Sequence, residues 1–220
     1  VPLFYQHTIN EFTQMGIWKI TEPEAFFSVK VPLQREISHP HKRLQHLAGR
    51  YLLQFLFEDF PYDLILIADT RKPFLSNESY HFSISHCGDF AAAIVSRRNR
   101  VGVDIELVKP MIQKIMHKFL SGEEMNLLLG NRLLPTSENG AVNISSRLLT
   151  LCWSAKEAMF KWYGYGGVDF KNHMQLNRAI NFDAAEFIES LYIFSKAERV
   201  VLTVTSRVFN DLVLSYVVSG

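Results

Sequence analysis

Hydrophobic residues recur at two different spacings along this chain, and the two alternate in blocks. Leu3–Ile9 and Met15–Ile20 carry alternating apolar positions and read as strands, and Pro23–Val29 reads as a short helix. In "SHPHKRLQHLAGRYLLQFLFEDF", Leu44, Leu47, Tyr51 and Leu52 fall at helical spacing. This predicts a helix over roughly His41–Phe57, started by Ser38 or by His39–Pro40. A short apolar strand at Leu64–Ala68 follows, then a loop or hairpin in "TRKPFLSNES". "YHFSISH" and "FAAAIVS" predict two strands turning at Gly88–Asp89, and "RRNR" a second turn into "VGVDIEL". Three successive strands predict a meander.

Beyond Val108–Pro110 the spacing becomes helical over Met111–Phe119. A further helix starts at Ser121, with Glu123 and Glu124 in its first turn. The polar loop "NGAVNISS" precedes the longest helix, Ser145–Tyr163, which Gly164, Gly166 and Gly167 stop. Strands at Leu191–Ser195, Val200–Thr205 and Leu212–Val218 close the chain. This order suits an α+β fold of two halves, 1–108 and 109–220, better than repeated βαβ units.

Composition narrows the function classes. The chain has 220 residues, 48% of them hydrophobic, enough for a packed core. Its formal charge of +1, from 23 basic and 22 acidic residues, offers no imbalance for nucleic acid or an anionic membrane. Two cysteines, Cys87 and Cys152, make neither a disulfide framework nor a zinc cluster, so a reduced, cytoplasmic protein is expected. No long apolar run predicts a membrane span, and the first ten residues lack a basic-then-apolar leader. His39, His41 and His46 cluster without carboxylate or cysteine at ligand spacing, so they read as helix-start and surface residues. "GYGG" is no phosphate-binding loop, because no Lys-Ser/Thr follows it.

Two stretches carry candidate chemistry. In "VGVDIEL", Val101, Val103, Ile105 and Leu107 point one way, and Gly102, Asp104 and Glu106 the other. Two carboxylates side by side repel, and need water, a cationic side chain or a metal. In "WSAKEAMFKWYG", Trp153, Glu157 and Lys161 share a helical face, with Lys156 pointing partly away. Alone, Glu157 and Lys161 read as an ordinary ion pair on a solvated helix. With the strand, Asp104, Glu106 and Glu157 offer three hard oxygen donors, a set suited to Mg²⁺ shared with substrate phosphates, and lysines beside it suit the phosphates themselves.

"VGVDIE" followed about fifty residues later by "WSAKEAMFK" resembles the signature of the 4′-phosphopantetheinyl transferases, a G-x-D strand and a W-x-x-K-E-x-x-x-K helix. "RKPFL" and "FSISH" resemble two further elements of that family, in the same order. The likeness is closest to the single-chain, pseudo-dimeric type represented by the surfactin-synthetase activator, and covers about Arg50 to Gly167. The family usually has Asn at the position of Ser83 and often Ser at that of Cys87.

The resemblance implies two similar α+β halves related by a pseudo-two-fold, each an antiparallel sheet packed with a long helix, with the active site between them in a monomer. It implies transfer of 4′-phosphopantetheine from coenzyme A to a serine of an apo acyl or peptidyl carrier protein, with release of 3′,5′-ADP. Mg²⁺ would be held by Asp104, Glu106 and Glu157. Glu157 would also be the base, and Lys161 the catalytic cation on the transferring or departing phosphate. Coenzyme A would be held by Arg50, Lys72, Ser85, His86, Lys156 and Lys161. Without the resemblance, His86 reads as a hydrogen-bonded structural histidine and Arg50 as a surface arginine. Two other classes compete: a non-catalytic module that binds coenzyme A or a carrier protein, and a hydrolase using two carboxylate-bound metals.

Overall fold

The computed structural model describes residues 2–31, 33, 36–130, 144–181 and 186–220. Most of the loop "NGAVNISS", residues 139–143, lies outside the described residues.

Strands β1 (Leu3–Asn10) and β2 (Thr13–Lys19) form a hairpin, and the short helix α1 (Glu24–Ser28) follows. Helix α2 (Pro40–Leu56) starts where His39 caps it and proline occupies its first position. A single 3₁₀ turn at Tyr62–Leu64 leads into the small hairpin β3 (Ile65–Ile67) and β4 (Pro73–Leu75). Strands β5 (His81–Cys87), β6 (Phe90–Ser96) and β7 (Arg100–Leu107) come next, then helices α3 (Ile112–Phe119), α4 (Gly122–Leu129) and α5 (Ser146–Tyr163). The chain ends with β8 (Met174–Leu176), β9 (Ile188–Phe194), β10 (Val200–Phe209) and β11 (Leu212–Ser219). Among the described residues the sequence pattern misses the 3₁₀ turn and β8, each three residues long and too short for a period to show.

The fold is α+β, with antiparallel sheets. One sheet runs β1-β2-β6-β5 and the other β7-β11-β10-β9-β8. The expected meander is therefore corrected: β5 and β6 pair, but β7 leaves them and pairs with β11 from Arg100↔Ser219 to Leu107↔Leu212. Residues 100–107, which the sequence reading gave to the first half, belong by hydrogen bonding to the second sheet.

Three apolar layers hold the sheets and long helices together. Helix α2 lays Leu47, Ala48, Leu52 and Leu53 against Trp18, Ala91, Ala93 and Val95 of the first sheet. The opposite face of that sheet, through Met15, Ile17, Ala92 and Ile94, packs on Val101, Val103, Ile105, Leu214 and Tyr216 of the second. Helix α5 covers the far side of the second sheet through Ala155, Ala158, Met159 and Trp162. Each fully buried aliphatic side chain contributes roughly 1.5–3 kcal/mol. Alternation along β7 thus puts its valines and isoleucine between the sheets and turns Gly102, Asp104 and Glu106 toward α5.

The sheets are also stitched edge to edge. β7 spends one set of N–H groups on β11, which leaves alternate ones facing β5. Val103 N–H donates to Ser83 Oγ at 3.2 Å, Ile105 N–H to Ser85 Oγ at 3.3 Å, and Leu107 N–H to Cys87 Sγ at 3.4 Å. Ser83 and Cys87, the two departures from the family pattern, are rungs of this ladder.

Gly102 sets how closely α5 can lie on β7. A Cβ there would stand 2.1 Å from Ala158 O and 2.6 Å from Trp162 N, both backbone atoms. Gly102→Ala is therefore expected to lower the stability of the chain by about 3 kcal/mol or more, since a rigid helix must move to admit one methyl group. Urea unfolding followed by circular dichroism would read the loss as a lowered midpoint.

Candidate active site

Four elements converge at one end of the contact between the sheets: the β3–β4 hairpin, β5, β7 and the C-terminal half of α5. Asp104 projects from β7 and is 3% exposed. Its Oδ1 accepts hydrogen bonds from Ser85 Oγ at 2.8 Å and from Lys161 Nζ at 2.6 Å, and Lys161 also donates to Ser85 Oγ at 2.8 Å. Three residues far apart in sequence, 85, 104 and 161, thus form one closed polar cluster. Asp104 Oδ2 is buried and has no hydrogen-bond partner among the described residues. An unpaired oxygen of a buried carboxylate is costly, and its environment favours a cation beside it.

Glu106 lies two residues further along the same face and is half-buried. The indole N–H of Trp153 donates to its Oε1 at 3.0 Å, and the Cys87 thiol to its Oε2 at 3.5 Å. Trp153 is itself wedged between the rings of Phe119 and Phe170, whose centroids lie 5.2 and 5.5 Å away. Burial raises the Glu106 pKa, and the Asp104 charge adds to the rise. Glu157, one turn before Lys161 on α5, is pushed up to about 7, first by burial and then by Asp104, with Lys161 acting against it. It therefore exchanges its proton near neutrality.

Lys72 reaches this region from the β3–β4 hairpin. It lies across Gly164, where a Cβ would stand 2.6 Å from both Lys72 Cδ and Nζ. Gly164 serves twice, because its φ of 76° also ends α5 in the left-handed conformation. Thr70 Oγ1 donates to Gly164 O at 3.0 Å and Lys72 Nζ to Trp162 O at 3.5 Å, which docks the hairpin on the negative end of the α5 dipole. Burial, then the charge of Arg100, lowers the Lys72 pKa to about 8. Lys72, Arg71, Ser83, Phe160 and Lys161 line a cleft of about 200 Å³ beside the cluster. His86 keeps an exposed edge, yet the protein packed behind it and the charge of Lys161 lower its pKa.

Two expected contacts of coenzyme A lie elsewhere. Lys156 is buried: its side chain is 0% exposed and reaches toward α4, where Glu124 lies. Its ammonium pairs with Glu124 at 2.6 Å and donates to Phe119 O at 2.6 Å and Phe170 O at 2.9 Å, which occupies all three of its protons. Burial lowers its pKa while Glu124 opposes the fall. Glu124 completes the capping box at Ser121 and accepts from Leu176 N at 2.9 Å. Arg50 is no surface residue either; it is 3% exposed within α2, with Nε donating to His46 at 2.9 Å.

The expected metal set stands as follows. Asp104 and Glu106 act electrostatically on Glu157, so the three carboxylates share one neighbourhood. Among the described residues, no group of three or more His, Cys, Asp or Glu stands ready-formed to hold a metal ion. The donor chemistry nonetheless fits a hard divalent cation that takes oxygens from protein, substrate and water, and Asp104 Oδ2 is a buried carboxylate oxygen without a partner among the described residues. Sequence reasoning missed Trp153 and Cys87 as the holders of Glu106. The Trp153 spacing on the Glu157 face was a usable signal; the cysteine offered none.

Residues 100–216, more than half of the chain, match the 4′-phosphopantetheinyl transferase superfamily. The chain belongs to that superfamily. It is similar to the enterobactin synthase component D of Shigella flexneri, 33% identical over 124 residues that cover 54% of each chain. It is 34% identical over 125 residues to the same component of Salmonella typhi, covering 54% of this chain and 47% of that one. It is also similar to the 4′-phosphopantetheinyl transferase psf-1 of Bacillus pumilus, 35% identical over 88 residues, or 40% of this chain and 34% of that one. The chain spans about half the length of the enterobactin synthase components it matches.

Two outcomes test the electrostatics. Lys156→Met leaves Glu124 buried without its cation and should lower stability by about 3–5 kcal/mol. Glu124→Gln in the same chain should restore part of that, both read by urea unfolding. Glu157 binds its proton more tightly folded than unfolded, so its contribution is greatest in acid and is lost as pH rises through about 7. In EDTA buffer, Glu157→Gln should be more stable than the parent at pH 8, with the gap closing as pH falls toward 4; melting curves across that range would show it.

Proposed function

We propose that this chain transfers 4′-phosphopantetheine from coenzyme A to a serine of an apo acyl or peptidyl carrier protein, releasing 3′,5′-ADP in a Mg²⁺-dependent reaction. Membership of the superfamily supports the reaction class. The observation that carries the assignment to this site is the cluster of Asp104, Ser85 and Lys161, with Glu157 beside it, at the edge of a cationic cleft.

The reaction breaks the bond from the β-phosphorus of coenzyme A to the oxygen that stays with 3′,5′-ADP, and makes a bond from that phosphorus to the serine oxygen. Positioning and charge neutralisation do most of the work in such a displacement. Lys161 and Lys72 are the cations that line the cleft together with Arg71, and they suit the pyrophosphate as mobile point charges. Lys161 exchanges its ion pair with Asp104 for the incoming phosphate. Ser85 keeps Asp104 in place during that exchange. Glu157 takes the serine proton, a role its carboxylate can fill from its place on α5 beside the cluster. His86, at the exposed end of β5, lies within the electrostatic reach of Lys161 and adds a donor toward the phosphates. Magnesium held by Asp104, Glu106 and Glu157 would supply neutralisation of the pyrophosphate charge. Lys156 and Arg50 are left out of this reading because both are buried.

In the same reading the two halves are the two lobes of the enzyme, divided in the turn at 97–99 ahead of β7 and not at Val108, and a single chain suffices. Among the described residues no helix is long and apolar enough to cross a membrane.

The test is mass spectrometry of apo carrier proteins incubated with coenzyme A, Mg²⁺ and the chain. A carrier gaining the phosphopantetheine mass is the expected outcome, and it names the substrate class. Glu157→Ala should abolish the gain by at least about a hundredfold with the circular dichroism spectrum unchanged. EDTA should stop transfer and Mg²⁺ restore it. Binding of coenzyme A without transfer to any carrier would favour a non-catalytic binding module instead.

A further inference from the structure

The cleft at Lys161 has a neighbour. A cleft of about 310 Å³ lies on the other side of Lys72, between the β3–β4 hairpin and the turn after α5. Its wall holds three basic side chains, Lys72, His81 and Arg100, against one carboxylate, Glu78. Glu78 acts on His81, while Lys72 and Arg100 form no ion pair among the described residues. Among the described residues each of the two donates to one main-chain carbonyl of α5: Lys72 to Trp162 O and Arg100 to Tyr163 O. A guanidinium carries five N–H donors, so most of those on Arg100 are left for a ligand.

The remaining wall is aromatic. Phe74, Tyr163 and Tyr165 line the cleft, and Tyr165 is 73% exposed at its mouth. The Arg100 guanidinium stands 5.1 Å from the Tyr165 ring centre and 5.0 Å from that of Trp162, close enough for both rings to attract it. Tyr163 and Tyr165 meet edge to face at 5.2 Å and keep each other's orientation. A cation lying beside flat aromatic faces suits a ligand that joins an anionic group to a ring.

We propose that this cleft is a second binding site, for a planar anion: a flat ring bearing a carboxylate or a phosphate, seated with its charge on Arg100 and its ring against Tyr165. Arg100 sets the plane in which the anion is met, because a guanidinium pairs two oxygens at once. Lys72 lines both clefts, so the occupant touches the wall of the candidate active site without entering it. The assignment does not depend on the transfer reaction, because it concerns binding alone.

Isothermal titration of the full chain with benzoate and with phenyl phosphate tests it. At least one should bind with a millimolar or tighter constant. Binding of benzoate alone identifies a carboxylate ligand, and of phenyl phosphate alone a phosphate ligand. Arg100→Gln and Tyr165→Ala should each weaken the binding by about tenfold, equivalent to about 1.4 kcal/mol. Tyr165→Ala removes an exposed ring, so it keeps the test valid if Arg100→Gln loosens the end of α5. Failure of both probes to bind at millimolar concentration, or binding that neither substitution weakens, overturns the proposal.

Discussion

The structure depends on the way β7 is shared between the two sheets. One edge of this strand belongs to β11 through backbone pairing, and the other is satisfied by side chains of β5: Ser83, Ser85 and Cys87. A strand edge with unpaired N–H groups is a liability in a folded chain. Here it becomes a seam. Because the rungs are side chains, β5 and β7 can belong to different sheets and still hold a fixed register. The same seam brings Ser85 to Asp104, so the polar cluster of the site is an extension of what joins the sheets.

Charge is handled at two places along α5, in opposite ways. At Lys161 the ion pair with Asp104 has one side open: Lys161 is partly exposed and one Asp104 oxygen is left over. At Lys156 the pair with Glu124 is sealed, and every donor and acceptor is matched by backbone or capping groups. A sealed pair is strongly destabilising to break, and its partners are fully committed. An open pair can trade its partner. The adjacent pair of letters "KE" in one motif therefore separates a structural lysine from a titrating carboxylate.

Much of this was legible in the sequence. The capping serines at 121 and 145, the glycines after α5 and the alternation of "VGVDIE" placed the helices and strands to within a few residues. Asp104 and Lys161 were picked from their motifs and do meet. The partner of β7 was not legible, because alternation reports which face is buried and not which strand lies alongside. Serines alternating along β5 look like a solvated face, and only the neighbouring strand turns them into acceptors. The burial of Lys156 was not legible for a related reason: lysine is rarely fully buried, and helical spacing alone cannot show that an acid on α4 waits for it. Trp153 was placed on the right face, but its hydrogen bond to Glu106 joins residues 47 apart in the chain.

The sealed lysine also fixes an angle. Successive residues of a helix point about 100° apart, so α5 has one rotational setting that sends residue 156 inward and residue 157 toward β7. Gly102 determines how near the helix lies and Lys156 determines how it is turned, like a key that fits its slot in one orientation. The aim of Glu157 is thus set by a neighbour that never faces the site, and by an acid, Glu124, on another helix altogether.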